Sequence, residues 1–272
     1  MNSLPIRVIS ALVALFILIG FCYFLEVTGL HLTVYLAVLL GGRELVKILF
    51  NSHGSLFDKL LFYFCILLIF ALSVCFFEST AVIYSVVSLT FFSISLWRRR
   101  LQADLNVIAS FENKNLLGFF YLGLLPSFAD RMLFLNHGAI WFFVMLAVVF
   151  SGDSFAYIFG VTLGKNKIMP IISPKKSAEG ALGGLLGSVV AALVSHHFLP
   201  HVPFYVLGLM GLVVGVIAQF GDFFESLLKR VADLKDSGSI MPGHGGILDR
   251  LDGVLFAAPL VYLTASFFDK LK

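Results

Sequence analysis

Apolar runs of about 17 to 25 residues, the length that crosses roughly 30 Å of hydrocarbon, recur along almost the whole chain and leave no room for a sizeable soluble domain. This pattern predicts an all-α polytopic membrane protein. Charge agrees with it: only 13% of the 272 residues are Asp, Glu, Lys or Arg, against roughly a quarter in a soluble domain. The runs place spans at about 5–25, 27–42, 60–77, 79–97, 116–128, 139–163, 178–199, 203–228 and 253–268, about nine transmembrane helices in all. The first run has no small-x-small cleavage pattern at its end and is followed by many more spans, so it is expected to be a retained helix. Cys22, Cys65 and Cys75 lie inside apolar runs without Cys-x-x-Cys spacing and predict no disulfide framework.

Of the 19 basic residues, all but Arg131, Lys270 and Lys272 fall at the N-terminal end or in connections that follow even-numbered spans. By the positive-inside rule this predicts a cytoplasmic N-terminus, an outer C-terminus and a cytoplasmic place for the connection around 226–253. Residues 1–135, rich in Phe, Leu and Val, are expected to form N-terminal transmembrane helices that act as scaffold. Their cluster Trp97-Arg98-Arg99-Arg100 is expected to orient its helix at the membrane surface, with attraction of anionic lipid headgroups as the alternative. Residues 136–272 are expected to form a C-terminal transmembrane catalytic region with a cytoplasm-facing site.

Polar residues enter the spans from there on. Asp153 sits inside the run 139–163, where a carboxylate costs at least about 2.5 kcal/mol unless it faces a polar interior. It shares a helical stripe with Tyr157, Gly160 and Gly164. Gly160-Val161-Thr162-Leu163-Gly164-Lys165 is too short between its glycines for a phosphate loop, lacks a hydroxyl residue after the lysine and follows no strand, which excludes that motif. In SPKKSAEG, residues 173–180, Ser173 followed by Pro174 predicts a helix start with Ser173 as N-cap. Lys175, Lys176 and Ser177 would then stand in a first turn whose free amides favour anions, with Glu179 close behind. The next span is rich in glycine, which suits close packing between helices. His196, His197 and His201 near its end are interrupted by Pro200, and are expected to be a solvated or interfacial cluster rather than a metal set.

Near the end of the eighth span, Asp222, Glu225, Ser226 and Lys229 fall on one helix face. From Ser226 to Gly253 the chain gathers Lys229, Arg230, Lys235, Asp236, His244, Asp249, Arg250 and Asp252. Carboxylates beside a basic cluster are suited to holding Mg2+ against phosphates, because Mg2+ prefers oxygen ligands and the cations neutralise the remaining phosphate charge. Pro242-Gly243-His244-Gly245-Gly246 adds glycines whose backbone amides can point at an anion. Together these residues point to nucleotide or pyrophosphate handling at the membrane surface, without naming the nucleotide.

The run Ser226, Lys229-Arg230, Lys235-Asp236, Pro242-Gly243-His244-Gly245-Gly246 and Asp249-Arg250-Leu251-Asp252 resembles the signature of the phosphatidate cytidylyltransferases, also called CDP-diacylglycerol synthases. The likeness extends to Asp153, Ala156, Tyr157, Gly160, Gly164 and Lys165, to SPKKSAEG, and to the segment from Gly221 to Ser226, while the first 135 residues add little. What it implies is transfer of a cytidylyl group from CTP to phosphatidic acid, giving CDP-diacylglycerol and pyrophosphate, with Mg2+ required and a monovalent cation such as K+ beside it. It further implies that Asp222 and Asp249 bind the metals. CTP and membrane phosphatidic acid are the implied partners, with a homodimer and no nucleic acid. The implied location is a bacterial inner membrane, with several spans and the active site toward the cytoplasm.

On that resemblance the anionic lipid phosphate attacks the α-phosphorus of CTP without a strong general base, and charge relief supplies most of the rate. Besides Asp222 and Asp249, the expected catalytic residues are Lys229, Arg230, Lys235 and Arg250 as phosphate contacts, His244 as a phosphate donor, and Asp236 and Asp252 to orient cations or support the metal. The expected substrate-binding set is Asp153, Tyr157, Ser173, Lys175, Lys176, Ser177, Glu179, Glu225 and Ser226. Two other readings compete. A CTP-dependent lipid kinase acting on a polyprenol or phytol alcohol would release CDP instead of pyrophosphate. An ion-coupled transporter would use Asp153 and Asp222 as a relay, but the sequence has no internal repeat of the kind such folds carry.

Overall fold

The structure, a computed structural model, describes residues 3–50, 54–102, 104–240 and 245–269; before Ile19 it describes side chains only for Val13 and Phe16. Among these residues there are nine α-helices and no strand: α1 (Ser3–Phe50), α2 (Leu56–Cys75), α3 (Thr80–Arg98), α4 (Leu105–Gly118), α5 (Leu125–Met132), α6 (Gly138–Thr162), α7 (Ala178–Val194), α8 (Phe204–Val231) and α9 (Leu248–Phe268). Seven helical segments among the described residues are long and apolar enough to cross a membrane. The chain is an all-α polytopic membrane protein.

These helices do not map one for one onto the nine expected spans. The first two spans lie within α1, where Glu26 leaves the helical course (φ 52, ψ −131). A Cβ on Gly29 would collide with the carbonyl of Phe21, although a straight helix would hold these residues about 12 Å apart. The chain therefore turns back at Glu26, where the two expected spans divide. The fifth span, 116–128, falls across the end of α4, a π-helical turn at Phe119–Leu124 and the start of α5. Pro126 has no N–H for the Leu122 carbonyl, and the Leu125 N–H reaches back to Phe120 in the wider turn.

Packing divides the chain into two compact units, Met1–Asp130 with Leu234–Leu248, and Arg131–Asp233 with Asp249–Lys272. In the first, aromatic side chains form the core. Phe62 stacks on Phe119 at 5.1 Å, and Phe91 meets Phe119 edge-on at 5.0 Å. Gly118 permits this approach, since a Cβ there would stand 2.5 Å from the Phe62 ring. Ser55 and Asp58 form a capping box at the start of α2. Arg98 and Arg99 both reach the Asp58 carboxylate, at 3.3 and 3.1 Å, and the Arg99 guanidinium lies 3.4 Å over the Phe111 ring. The basic cluster thus ties α3 to α2 and α4, which is more than the orienting role expected of it.

In the second unit small residues carry the packing. On α7, a Cβ at Gly183 would stand 2.5 Å from Phe159 of α6, and one at Gly187 would stand 2.7 Å from the Ser151 carbonyl. On α8, a Cβ at Gly211 would stand 2.5 Å from Ala192 Cβ, and one at Gly215 would stand 2.8 Å from Ser188 Cβ. The glycine-rich character of this region does serve close helix contact, as expected. All three cysteines are free.

Candidate active site

α8 continues to Val231 and α9 begins at Leu248. Most of the charged residues expected in a connection therefore stand on helices, and only 232–247 separates them. Asp222, Glu225, Ser226, Lys229 and Arg230 occupy the last turns of α8; Asp249, Arg250 and Asp252 occupy the first turns of α9. Carboxylates at a helix N-terminus meet the positive end of its dipole.

Within the second unit these residues form two adjoining groups. In one, the Lys229 ammonium lies between Glu225 on its own helix and Asp249, which it reaches at 2.5 Å. Glu225 is 1% exposed, and its Oε1 has no hydrogen-bond partner among the described residues. Asp249 and Asp252 both lie within electrostatic reach of it. In the other group, Asp222 pairs with Lys176 and accepts a hydrogen bond from Ser226 Oγ at 3.3 Å. The Lys176 ammonium also sits 4.3 Å over the Phe223 ring. Asp252 interacts with Asp222 and Asp153, and Asp153 with Lys176 and Arg250. Gly221 makes this convergence possible: a Cβ there would run into the Asp252 carbonyl and stand 3.1 Å from Phe256.

Lys176 reaches Asp222 by a local fold different from the expected one. Ser177, not Ser173, is the N-cap of α7, accepting from the Gly180 N–H at 3.2 Å. Ser173 and Pro174 lie in a turn, in which the Lys176 N–H donates to the Ser173 carbonyl at 3.3 Å. The local preference of Ser-Pro loses to a bridge between Lys167 and Ser177, reinforced by the Ala178 N–H on the Asn166 carbonyl at 2.8 Å. The Glu179 carboxylate accepts from the Lys165 and Asn166 N–H groups, at 3.0 and 3.2 Å, and from the Asn166 side chain at 2.7 Å. It holds the loop in place.

The remaining expected residues have surroundings of their own. Tyr157 is 72% exposed on the flank of α6. Arg230 Nε donates to the Ile172 carbonyl at 3.3 Å. Lys175 is exposed, and its carbonyl accepts from Lys167 Nζ at 3.3 Å. Lys235 and Asp236 are exposed and belong to the first unit. His244 lies outside the described residues. His196, His197 and His201 do not converge on one another. His196 Nδ1 lies 3.1 Å from the Val202 carbonyl, whereas His201 joins His137 and Asp269, whose ligand atoms all fall within 4.8 Å of one another. There the Asp269 carboxylate is already held by His137 at 2.6 Å and Trp141 at 2.5 Å, a hydrogen-bonded cluster at the end of α9.

One polar residue of the first unit went unmarked. Glu44 of α1 is 4% exposed and accepts hydrogen bonds from Ser237, Ile247 and Leu248. The available signal was a carboxylate two positions after Gly41-Gly42, beside Arg43, in the last turns of an apolar helix.

Comparison with known proteins gives a consistent picture. Residues 5–268 match the cytidylyltransferase family. The chain is 33% identical to the phosphatidate cytidylyltransferase of Thermotoga maritima over 273 residues, 97% of this chain and 96% of that protein. It is 44% identical to the phosphatidate cytidylyltransferase of Bacillus subtilis over 135 residues, so that this match spans about half the length of each, 49% and 50%. With the phosphatidate cytidylyltransferase of Synechocystis the identity is 37% over 177 residues, 54% of this chain and 60% of that protein.

Proposed function

The chain belongs to the cytidylyltransferase family, and we propose that it is a phosphatidate cytidylyltransferase, joining CTP and phosphatidic acid into CDP-diacylglycerol with release of pyrophosphate. The observation that carries the reading is the pairing of Lys176 with Asp222 and of Lys229 with Asp249, in a chain that matches this family over residues 5–268.

Two anions must meet in this reaction, and a third must leave. The chain's task is to hold phosphates against their mutual repulsion. Lys176 and Lys229 rest on carboxylates in the structure. On substrate entry they exchange those carboxylates for phosphate oxygens, with Arg230, Arg250 and Lys175 as further phosphate contacts; for Lys235 and His244 that role rests on the family resemblance alone. Asp153, Tyr157, Ser173, Ser177, Glu179 and Ser226 complete the substrate contacts or their support. The lipid phosphate is anionic at neutral pH, so its oxygen attacks the α-phosphorus without a base to deprotonate it.

Mg2+ fits the donor set. Asp222 and Asp249 are the hard oxygen donors this ion prefers, and the buried Glu225, whose Oε1 is unpartnered among the described residues, lies within electrostatic reach of Asp249. Asp222 and Asp249 would hold the ion, with Asp252 in support; for Asp236 that role rests on the family resemblance alone. Bound there, Mg2+ supplies positive charge against the transferring and leaving phosphates. The family resemblance adds a monovalent cation such as K+ and a homodimer. The asymmetry of the basic residues supports a cytoplasm-facing site and a cytoplasmic N-terminus, and the bacterial relatives support an inner-membrane location.

The deciding experiment is release of pyrophosphate from CTP on adding phosphatidic acid to the purified protein, with Mg2+ present and then chelated. Pyrophosphate that depends on both lipid and Mg2+ is the expected result. Release of CDP would overturn the proposal in favour of a lipid kinase.

A further inference from the structure

The Glu44 carboxylate is buried at the end of an apolar helix, a place that is costly for a charged group unless donors surround it. Among the described residues, Ser237, Ile247 and Leu248 of one distant segment do so. Ser237 Oγ donates to Oε2 at 2.9 Å, the Leu248 N–H to Oε2 at 3.0 Å, and the Ile247 N–H to Oε1 at 3.1 Å. Leu248 opens α9, so Glu44 satisfies amides that a helix N-terminus leaves without a partner in the helix itself, and its charge faces the positive end of the helix dipole. The glycines of the segment are shaped to admit it. A Cβ on Gly246 would stand 2.5 Å from Glu44 Cδ and strike Ser237 Oγ, and one on Gly238 would stand 2.8 Å from Glu44 Cδ. Gly245 takes a left-handed backbone (φ 83), which side chains disfavour. Backbone shape thus requires glycine at 245, and the neighbouring Glu44 carboxylate requires it at 246.

Asp249, Arg250 and Asp252 follow directly on the residues that Glu44 holds. We propose that Glu44 is a positioning residue for this reaction: by fixing Ser237, Ile247 and Leu248 it sets where α9 begins, and so the register in which Asp249, Arg250 and Asp252 are presented. The proposal rests on the function proposed above only for its catalytic consequence. Gly41 supports the arrangement, because a Cβ there would stand 3.1 Å from the Leu248 side chain, so α1 approaches the start of α9 closely.

The test uses the full chain in detergent or nanodiscs, with Glu44→Ala, Glu44→Gln, Gly246→Ala and the double variant Glu44→Ala/Gly246→Ala. Hydrogen exchange without substrate should show the amides of Ile247 and Leu248 losing protection by about tenfold or more in Glu44→Ala, the scale of a lost charge-assisted hydrogen bond. Glu44→Gln, which keeps one accepting oxygen, should fall between wild type and Glu44→Ala, and it carries the same test if Glu44→Ala does not accumulate. In turnover, kcat should fall by about tenfold or more while KM for CTP stays within about threefold, because register rather than a substrate contact is lost. Gly246→Ala should be damaging alone but add less than about threefold to Glu44→Ala, since removing the carboxylate both empties its own space and frees the Ser237 hydroxyl it holds to rotate away from the methyl group. Unchanged protection in Glu44→Ala, or effects of the two substitutions that multiply, would overturn the proposal. If the wild type produces no pyrophosphate from CTP and phosphatidate, the proposed function fails, while hydrogen exchange still decides the structural role of Glu44.

Discussion

Lys229, in the last turns of α8, lies 2.5 Å from Asp249 in the first turn of α9, and the same ammonium is shared with Glu225. One cation therefore pins the two helix ends that frame the segment 232–247. Asp222, two turns before Lys229 on α8, has its own cation in Lys176. Each of the two carboxylates assigned to the metal is thus already matched with a positive charge, and several predictions rest on that arrangement.

Asp222→Asn and Asp249→Asn should each lower turnover by at least about a hundredfold, the scale on which a single group acting on transition-state charge contributes. Asp249→Asn leaves Lys229 with Glu225, and Asp222→Asn leaves Lys176 over the Phe223 ring, so neither variant strands a buried cation without a neighbour. Both proteins should elute from size exclusion like the wild type. Near-normal CTP-dependent activity in either purified variant would remove it from the metal site.

Lys176→Ala should raise KM for CTP or for phosphatidate by about tenfold, as loss of one charge-assisted phosphate contact would. Lys176→Arg should keep the charge but not the geometry, because the guanidinium is a planar fork where the lysine presents a compact ammonium over Phe223. Steady-state kinetics with each substrate varied in turn distinguish the two. Unchanged constants for both substrates in Lys176→Ala would take SPKKS out of the site.

Arg99→Ala should destabilise the first unit by about 3 kcal/mol, the cost of breaking a largely buried ion pair. Asp58 would lose one of its two arginines, Ser95 would lose the 2.7 Å bond from Arg99, and Phe111 its cation. Glu112 would be affected as well. Burial pushes its carboxyl up, the Ser95 hydrogen bond and the Arg99 charge bring it down, and Asp58 raises it again. A lowered thermal midpoint with CTP turnover retained below that midpoint is the expected outcome, and an unchanged midpoint would return Arg99 to the role of a simple anchor.

What the sequence made legible was periodic. Asp222, Glu225, Ser226 and Lys229 share a face because helical spacing alone requires it, and Ser226 does reach Asp222 at 3.3 Å. The division of the first two spans at Glu26 was legible too, since a charged residue interrupts two apolar runs there. What depended on packing between helices was not legible. Lys176 meets Asp222 only because Gly180, Gly183, Gly184 and Gly187 let α7 lie close against its neighbours. Ser173-Pro174 carried a sound local helix signal that a bridge from Lys167 overrode. Glu44 was the hardest to foresee, because its partners lie 193 to 204 positions away and no local pattern states which apolar helix faces which loop.

The cluster at the end of α9 gives a prediction in pH. Burial opposes ionisation of Asp269, but hydrogen bonds from His137 and Trp141 and the charges of His137 and His201 outweigh it and hold the carboxyl below its ordinary value of 3.8. A carboxyl with a lower pKa in the folded state than in the unfolded one stabilises the fold where it is ionised in both. Its contribution is complete above 3.8 and is lost as the pH falls through the lower folded value. Asp269→Asn, which puts an amide NH2 where His137 or Trp141 donates, should therefore cost about 1–3 kcal/mol at pH 7. The gap between the thermal midpoints of wild type and variant should narrow as the pH is lowered below 3.8. A gap of equal size at every pH would assign the effect to packing around Trp141 rather than to the charge on Asp269.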